Sequence, residues 1–359
     1  MIDALIGWSL RNRGGVLALA FLLLGVGWFT AARMPVDVFP DLTAPTVTVI
    51  TEAHGMAPLE VETQITFPIE SALNGAAGVR RVRSSTAVGI SVVWAEFEWG
   101  TDILTARQVV NEKLALVANE LPPEVERPIL APVSSIMGEI MFISLSSERH
   151  STIEVRTLAD TVIRRRLLSV PGVSQVTPIG GDVKQYQAVI APGKLLSHGV
   201  TLGQVIEALP AANQNLSAGF VNHRGSEVLV SGRGRFRSIE EIEAALVANN
   251  GSAPVTIGDL GEVKIGAAPK RGTASANGKP AVLLGIQKQP RANTLELTKR
   301  LDAVLDDVAE KLPDGMTLNK HIFRQADFIS VAVTNVIHAL RDGAILVIII
   351  VLVFLANVR

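Results

Sequence analysis

The chain has 359 residues, a formal net charge of −1 and no cysteine. Its near-neutral charge gives no electrostatic basis for binding nucleic acid, and the absence of cysteine excludes disulfide scaffolds and thiolate metal sites. The length allows about two or three domains, and the balance of 48% hydrophobic and 19% charged residues is typical of a folded chain.

The first predicted element is an apolar helix near the start of the chain. Residues 14–32 carry no charge, and as a helix they would span about 28 Å, close to the thickness of a bilayer core. Arg11 and Arg13 precede this stretch, and the positive-inside rule therefore places the N-terminus in the cytoplasm. We predict a transmembrane helix at 14–33. A cleaved signal peptide is the alternative, because the start is basic and small residues close the stretch.

The residues that follow alternate between strand and helix patterns. Apolar residues recur every four positions in the first helix, which Pro68 is expected to kink, and Thr101 is the predicted N-cap of the second. The predicted elements are strand 46–53, helix 57–74, strands 79–87 and 89–98, helix 101–120 and a short strand at 127–130.

The same order of elements begins again at strand 139–146. Ser151 and Glu154 form a predicted capping box for the helix that follows, and a strand begins at Val173. The last strand and helix of this second copy lie much further on, starting with strand 281–288.

Residue offsets between the two copies locate an insertion. Gly78 and Gly172 lie 94 residues apart, whereas Leu121 and Leu312 lie 191 apart, a difference of 97 residues. We therefore expect an insertion in the second copy only, between about residues 180 and 278. Its own strand and capping signals predict a small α+β subdomain.

Each copy has the order β–α–β–β–α–β, which is that of the ferredoxin-like or split βαβ unit. The sequence thus predicts an α+β fold with two such units in tandem, the second one interrupted by the inserted subdomain. Two units side by side can line a cleft, but a fold alone assigns no chemistry.

A second apolar stretch occupies residues 343–358 and is followed by Arg359. Its aliphatic density predicts a second membrane helix, within a longer helix at 330–358; a buried core helix is the alternative, because the stretch is short for a span. The flanking charges place residues 34–342 outside the cytoplasm. Because the chain stops directly after an apolar helix, we expect it to be a fragment of a longer protein.

No catalytic constellation emerges from the sequence, and we predict neither enzymatic activity nor a cofactor. No two of the six histidines are three or four residues apart, so helical zinc spacing is absent. Met137 and Met141 carry thioethers, which bind soft ions, but on a strand they would lie about 13 Å apart. We interpret them as core or cleft-lining residues. The centres of both apolar stretches lack acidic and basic residues, so no proton relay is predicted there.

Several motifs resemble those of the resistance–nodulation–division (RND) efflux permeases along the whole chain. They are PVDVFPDL at 35–42, GMAPLEVE at 55–62, ITFPIE at 65–70 and FEWGTD at 97–102. The runs at 132–140 and 183–187 most resemble the heavy-metal branch of that family.

The resemblance implies the N-terminal part of an inner-membrane permease of a Gram-negative bacterium, with residues 34–342 periplasmic. Such permeases are proton-driven homotrimers that work with a periplasmic adaptor protein and an outer-membrane channel. The resemblance also implies a first porter subdomain at 34–133, a second at 134–182 and 272–322, and a docking subdomain at 183–271. The relay acids and metal-binding methionines of the family have no counterparts in this chain.

The resemblance further places the helix after Thr101 beside the central pore of a trimer. The polar residues expected to face that pore are Asp102, Gln108, Glu112 and Asn119. Export of heavy-metal cations is the leading interpretation. Export of organic compounds by the same architecture is one alternative, and a two-helix membrane sensor with a periplasmic ligand domain is another.

Overall fold

The computed structural model describes residues 7–9, 11–33, 44–123, 125–133, 138–249, 253–270, 272–290 and 292–355. The chain is α+β, as predicted, with two four-stranded sheets and several two-stranded ones. A long helix, α1 (Arg13–Arg33), lies near the N-terminus, within one residue of its predicted start.

The first unit, residues 44–133, contains one of the four-stranded sheets. Its elements are β1 (Thr46–Glu52), α2 (Pro58–Val61), a π-helical turn (Glu62–Thr66), α3 (Phe67–Asn74), β2 (Val79–Ala87), β3 (Ile90–Phe97), α4 (Ile103–Val117) and β4 (Ile129–Leu130). The strand order across the sheet is β2-β3-β1-β4, and every pair is antiparallel.

The core of the first unit lies between the helices and one face of the sheet. Alternate residues of β1 are buried, because successive side chains of a strand point to opposite faces. The predicted stripe of the first helix is confirmed, because Val61, Ile65, Ile69 and Leu73 are buried. In α4 the buried residues are Ala106, Val110, Leu114 and Val117. Full burial of each large aliphatic side chain contributes about 1.5–3 kcal/mol.

In the segment where a kink is expected at Pro68, the helix contains the π-helical turn, which ends two residues before the proline. A proline cannot donate the backbone hydrogen bond of a regular helix. The buried hydroxyl of Thr66, at the end of the turn, lies 2.7 Å from Ser91 Oγ on β3. The second unit has a π-helical turn at Ala159–Ile163 that contains no proline, so the turn does not depend on proline alone.

The second unit consists of residues 138–182 and 272–324. Its first half comprises β5 (Glu139–Ser147), α5 (Thr152–Leu158), the π-helical turn just described, α6 (Arg164–Leu168) and β6 (Val173–Ile179). The predicted capping box is present, because Ser151 Oγ accepts from Glu154 N while the Glu154 carboxylate accepts from Ser151 N.

The inserted unit, residues 183–270, follows β6. Its elements are β7 (Lys184–Ile190), α7 (Pro192–His198), α8 (Leu202–Ala212), β8 (Leu216–His223), β9 (Ser226–Gly232), α9 (Ile239–Glu243), β10 (Leu246–Asn249), β11 (Pro254–Thr256), α10 (Ile257–Leu260) and β12 (Gly261–Ala267). It has its own small core, which includes Val205, Ile257 and Leu260. β7 pairs with β12, and Ala268 N donates to Val183 O at 2.9 Å. The chain therefore enters and leaves the inserted unit at one point.

The second unit resumes after a small hairpin, β13 (Ser275–Ala276) and β14 (Lys279–Pro280). It then adds β15 (Val282–Lys288), α11 (Thr294–Glu310) and β16 (Met316–Arg324). The strand order β16-β5-β15-β6 is the counterpart of β4-β1-β3-β2 in the first unit. The inserted unit thus lies between the second and third strands of its host sheet, where the residue offsets place the insertion.

The last described helix, α12 (Gln325–Leu355), follows β16 without a loop. It begins five residues before the predicted helix at 330–358, and residues 356–358 lie outside the described part of the chain. By length and composition, α1 and α12 are the two described helices that could cross a membrane. The aliphatic side chains at 345–354 are exposed in the isolated chain, as lipid-facing residues would be.

Deleting residues 184–267, with a short Gly-Ser linker from Val183 to Ala268, should leave the second unit folded, because its core contains no residue of the inserted unit. Urea unfolding followed by circular dichroism should keep a cooperative transition. As a control, Ile143→Ala in the core of the second unit should cost about 2–5 kcal/mol both with and without the deletion. A chain that loses its cooperative transition on deletion would show that the inserted unit is part of the host fold.

Candidate functional site

The residues predicted to face a pore lie on or beside α4. Asp102 caps this helix, because its Oδ2 accepts hydrogen bonds from the backbone N atoms of Leu104 and Thr105 at 3.0 and 3.1 Å. The predicted cap, Thr101, is therefore wrong by one residue. The carboxylate of Asp102 satisfies two amides that have no partner within the helix.

The exposed face of α4 is mixed in character. Gln108 and Glu112 lie one turn apart on it, and Gln108 Nε2 donates to Glu112 Oε1 at 3.2 Å. Leu104 lies four residues before Gln108 and Leu116 lies four residues after Glu112, so each neighbours this pair on the helix surface. The two leucines are 69% and 70% exposed. Asn119 is exposed as well, but it lies beyond the end of the helix. The face is therefore suited to contact another protein surface as well as water.

A groove of about 460 Å³ lies between α3 and α4. Its lining residues are Phe67, Pro68, Ser71, Ala72, Lys113, Leu116, Val117 and Glu120. Phe67 and Leu116 are mostly exposed, and Lys113 and Glu120 add one charge of each sign. Exposed apolar groups with a charged rim are typical of protein contact sites. We refer to these residues together with the exposed face of α4 as the α3–α4 surface.

The hairpin β8–β9 of the inserted unit exposes apolar side chains on both faces. Phe220 pairs with Leu229, and Val221 pairs with Val228. Adjacent residues of a strand point to opposite faces, and all four side chains are exposed. The hairpin forms a sheet with no other described strand. A two-stranded hairpin alone is at best marginally stable in water, so contact with another protein surface would stabilise this one.

The second unit is connected to α12 at the end of β16, and a forked ion pair stabilises this junction, which is called the joint below. Arg324 is the last residue of β16. Its Nη1 donates to Oδ1 of Asp302 on α11, and its Nη2 donates to Oδ2 of the same residue, both at 2.7 Å. Its Nε lies 3.3 Å from Asp327 Oδ1 in the first turn of α12. The Arg324 side chain is only 11% exposed, and the hydrogen bonds to Asp302 raise the pKa of this guanidinium above its ordinary value. One arginine therefore ties together β16, α11 and α12.

Packing around the joint reinforces this ion pair. The ring of Phe323 lies 5.9 Å from that of Phe142 on β5 and 6.1 Å from that of Phe328 on α12, centroid to centroid. Ala326 and Ile329 in the first two turns of α12 are buried. The start of α12 is thus part of the second unit rather than a free extension of it.

A basic cluster covers part of the sheet of the first unit. Glu96 on β3 lies 2.5 Å from Arg81 Nη2 and 3.0 Å from Arg80 Nη2, with Arg83 at 3.8 Å. The hydrogen bond from Arg81 is the main cause that lowers the pKa of Glu96 below its ordinary value of 4.5. Three arginines against one carboxylate leave this surface positive, so it repels cations.

The two methionines weighed as soft-ion ligands do not form a site in the described residues. Met141 is fully buried in the core of the second unit, so it lines no cleft; its side chain falls on the apolar face of β5. Met137 lies outside the described residues.

The profile of the AcrB/AcrD/AcrF family matches residues 5–359. The chain belongs to this family. It is a family of efflux transporters rather than of enzymes, and the resemblance to RND permeases noted in the sequence is confirmed. The chain spans only about a third of the length of the curated relatives it matches.

Relatives with metal-related names match over the whole chain. The cobalt-zinc-cadmium resistance protein CzcA of Cupriavidus metallidurans is 33% identical, and the chain covers 34% of it. The cation efflux system protein CusA of Escherichia coli is 31% identical, also with 34% covered. A crystal structure described as a heavy metal efflux pump superimposes with a TM-score of 0.86 at 26% identity, over 96% of this chain and 35% of that one.

Sequence reasoning missed the hairpin surface and the joint. Asp302 and Arg324 are 22 residues apart, and only the pairing of β16 beside β5 brings the end of that strand to α11. The exposed faces of β8 and β9 read as ordinary strand alternation. One signal was available for the joint: Arg324 is followed three residues later by Asp327 at the start of a helix.

Replacing Arg324 with methionine should destabilise the chain by about 1–3 kcal/mol, because Asp302 loses a charge-assisted, forked partner. Arg324→Lys should restore only part of the stability that the methionine variant loses, since an ammonium group cannot form the two parallel hydrogen bonds of a guanidinium. The measurement is the urea unfolding free energy of the detergent-solubilised chain. Arg300→Met is the matched control: it removes an exposed pair with Glu296 on the same helix and should have almost no effect. Equal effects at both arginines would contradict a special role for Arg324.

Proposed function

We propose that this chain is the N-terminal part of an inner-membrane, proton-driven permease that exports heavy-metal cations. The observation that carries the proposal is the agreement of fold with a heavy metal efflux pump over 96% of the chain. The names of the relatives CzcA and CusA point to the same class of cargo. In the proposal, the proton relay belongs to other helices of the complete protein.

In this proposal the chain spans the membrane through α1 (predicted at 14–33) and α12, and residues 34–342 lie in the periplasm. The first and second units belong to tandem ferredoxin-like porter subdomains, one at 34–133 and the other at 134–182 and 272–322. The inserted unit belongs to a docking subdomain at 183–271. The strand order shared by the two large sheets supports the first assignment. The separate core of the inserted unit supports the second.

We further propose that the complete protein is a homotrimer that works with a periplasmic adaptor and an outer-membrane channel. The hairpin β8–β9 supports the trimer, because its two apolar faces need a partner that the described chain does not supply. The α3–α4 surface supports it as well, with Gln108 and Glu112 placed near the threefold axis. The mixed character of that face suits subunits that meet around a narrow water-filled passage.

The joint at Arg324 supplies a physical route for coupling. In the proposal, movement of α12 in the membrane moves β16, because no loop separates the two and the guanidinium of Arg324, at the end of β16, binds Asp327 on α12 and Asp302 on α11. A rigid connection of this kind transmits displacement instead of absorbing it. In the proposal, proton-driven movement of membrane helices reaches the second porter unit along this path.

A host strain that lacks the complete gene should become several-fold more sensitive to zinc, cobalt or cadmium salts, and a plasmid copy should restore growth. Minimum inhibitory concentrations measure the effect. Detergents and dyes serve as the organic comparison and should be tolerated equally by both strains. If the strain keeps its metal tolerance but loses its tolerance to organic compounds, the complete protein exports organic compounds and not metal cations.

Single cysteines at Gln108 or Glu112, in the complete protein, should cross-link between subunits if α4 lies near a threefold axis. This segment contains no native cysteine. A cysteine at Thr63, exposed on the π-helical turn of the first unit, is the control and should not cross-link. Non-reducing gels report the trimer. Equal cross-linking at all three positions, or none at any, would contradict this placement of α4.

A further inference from the structure

Two carboxylates and an imidazole meet at one end of the sheet of the first unit. Glu52 is the last residue of β1, His54 follows two residues later, and Glu126 lies shortly before β4. His54 Nε2 is 3.3 Å from Glu52 Oε2 and 3.5 Å from Glu126 Oε1. One ligand atom from each residue lies within 4.8 Å of the others, an arrangement that recurs nowhere else in the part of the chain that the structure describes.

Backbone hydrogen bonds fix the segments that carry these side chains. Glu126 N donates to Glu52 O at 3.0 Å, which ties the segment before β4 to the end of β1. Ala53 N donates to Gly89 O at 2.8 Å, and Met56 N donates to Ala53 O at 3.2 Å. The turn that bears His54 is therefore held on both sides, and the three side chains start from a fixed frame.

The spacing of the side-chain atoms matches what a small cation requires. Two ligand atoms, each about 2.0–2.1 Å from a tetrahedral ion, lie about 3.3–3.4 Å from each other. Both contacts of His54 are close to this separation, and the ligand atoms of Glu52 and Glu126 lie within 4.8 Å of each other. A cation could therefore bind with little rearrangement, and water would complete its coordination, since all three residues are exposed.

The charge and type of the ligands select the class of ion. With a neutral imidazole the cluster carries two negative charges, in contrast to the positive surface around Glu96. One nitrogen and two carboxylate oxygens suit borderline divalent cations such as Zn²⁺, Co²⁺ and Ni²⁺. Soft monovalent ions prefer sulfur, which this cluster lacks, and Mg²⁺ prefers oxygen ligands alone.

We propose that Glu52, His54 and Glu126 form a binding site for a divalent cation of the Zn²⁺ class on the first unit. The site does not depend on the proposed export function, because it is complete within this chain. Its exposure makes it a site of rapid exchange rather than a structural centre. A cation there would link the end of β1 to the segment before β4, on the same unit as the α3–α4 surface.

The test is calorimetric titration of the detergent-solubilised full chain with Zn²⁺ alone, in a buffer that does not bind metal. Glu52→Gln, His54→Ala and Glu126→Gln should each weaken binding about tenfold or more at one site. His321→Ala and Glu98→Gln remove an exposed histidine and an exposed glutamate elsewhere and should leave the isotherm unchanged. Co²⁺ should show ligand-field absorption bands that the His54→Ala variant lacks, and excess Mg²⁺ should not displace Zn²⁺.

Circular dichroism melting curves of the three variants should match the parent chain, which separates a lost ligand from a lost fold. The cluster is only an ion pair of a protonated histidine, and the proposal fails, if the parent chain binds no more Zn²⁺ than the triple variant. It fails equally if any one of the three substitutions leaves the affinity unchanged. Loss of metal tolerance in the host tests export separately and does not bear on this outcome.

Discussion

Each large sheet has one apolar face, and covering that face with helices is the constraint from which the rest of the chain follows. In the first unit, the buried stripes of the two helical segments and alternate residues of β1 form a single core. The core of the second unit is built in the same way, from β5, β15, α11 and the helix that contains its π-helical turn. Once both helices of a unit are used in this way, their outer faces and the loops are free for other tasks.

This division explains where the functional features lie. The inserted unit enters through a loop and leaves the host sheet whole, because its ends meet at Val183 and Ala268. The α3–α4 surface is the outer side of helices whose inner sides hold the core. The cluster around His54 uses a strand end, where side chains are not needed for packing. The joint is different, since Arg324 belongs to a strand and a helix start at once.

Most elements of the fold could be predicted from local patterns in the sequence. Residues spaced by four, such as Val61 and Ile65, are buried because helix geometry places them on one face. The capping box at Ser151 depends only on residues three apart, and so it was also predictable. The position of the inserted unit followed from comparing two copies of one pattern, which needs no knowledge of contacts.

Features that depend on strand pairing lay beyond the sequence. Glu52 and Glu126 are far apart along the chain, and only the pairing of β4 beside β1 brings them together. The same holds for Asp302 and Arg324. The cap is Asp102 and not Thr101. Both side chains can accept the capping hydrogen bonds, so the residue type does not decide between them; the backbone conformation does. The uncovered faces of β8 and β9 could not be inferred, since alternation looks the same whether or not a face is covered.

The absence of a loop between β16 and α12 gives the long helix the properties of a lever. Its 31 residues amount to about 46 Å of helix. A tilt of about 5° at the Arg324 end would carry the far end sideways by about 4 Å, the width of a small side chain. The same geometry applies in the opposite direction. If the far end of α12 moved by a few ångströms deep in a bilayer, the edge strand β16 of the second unit would rotate by a few degrees.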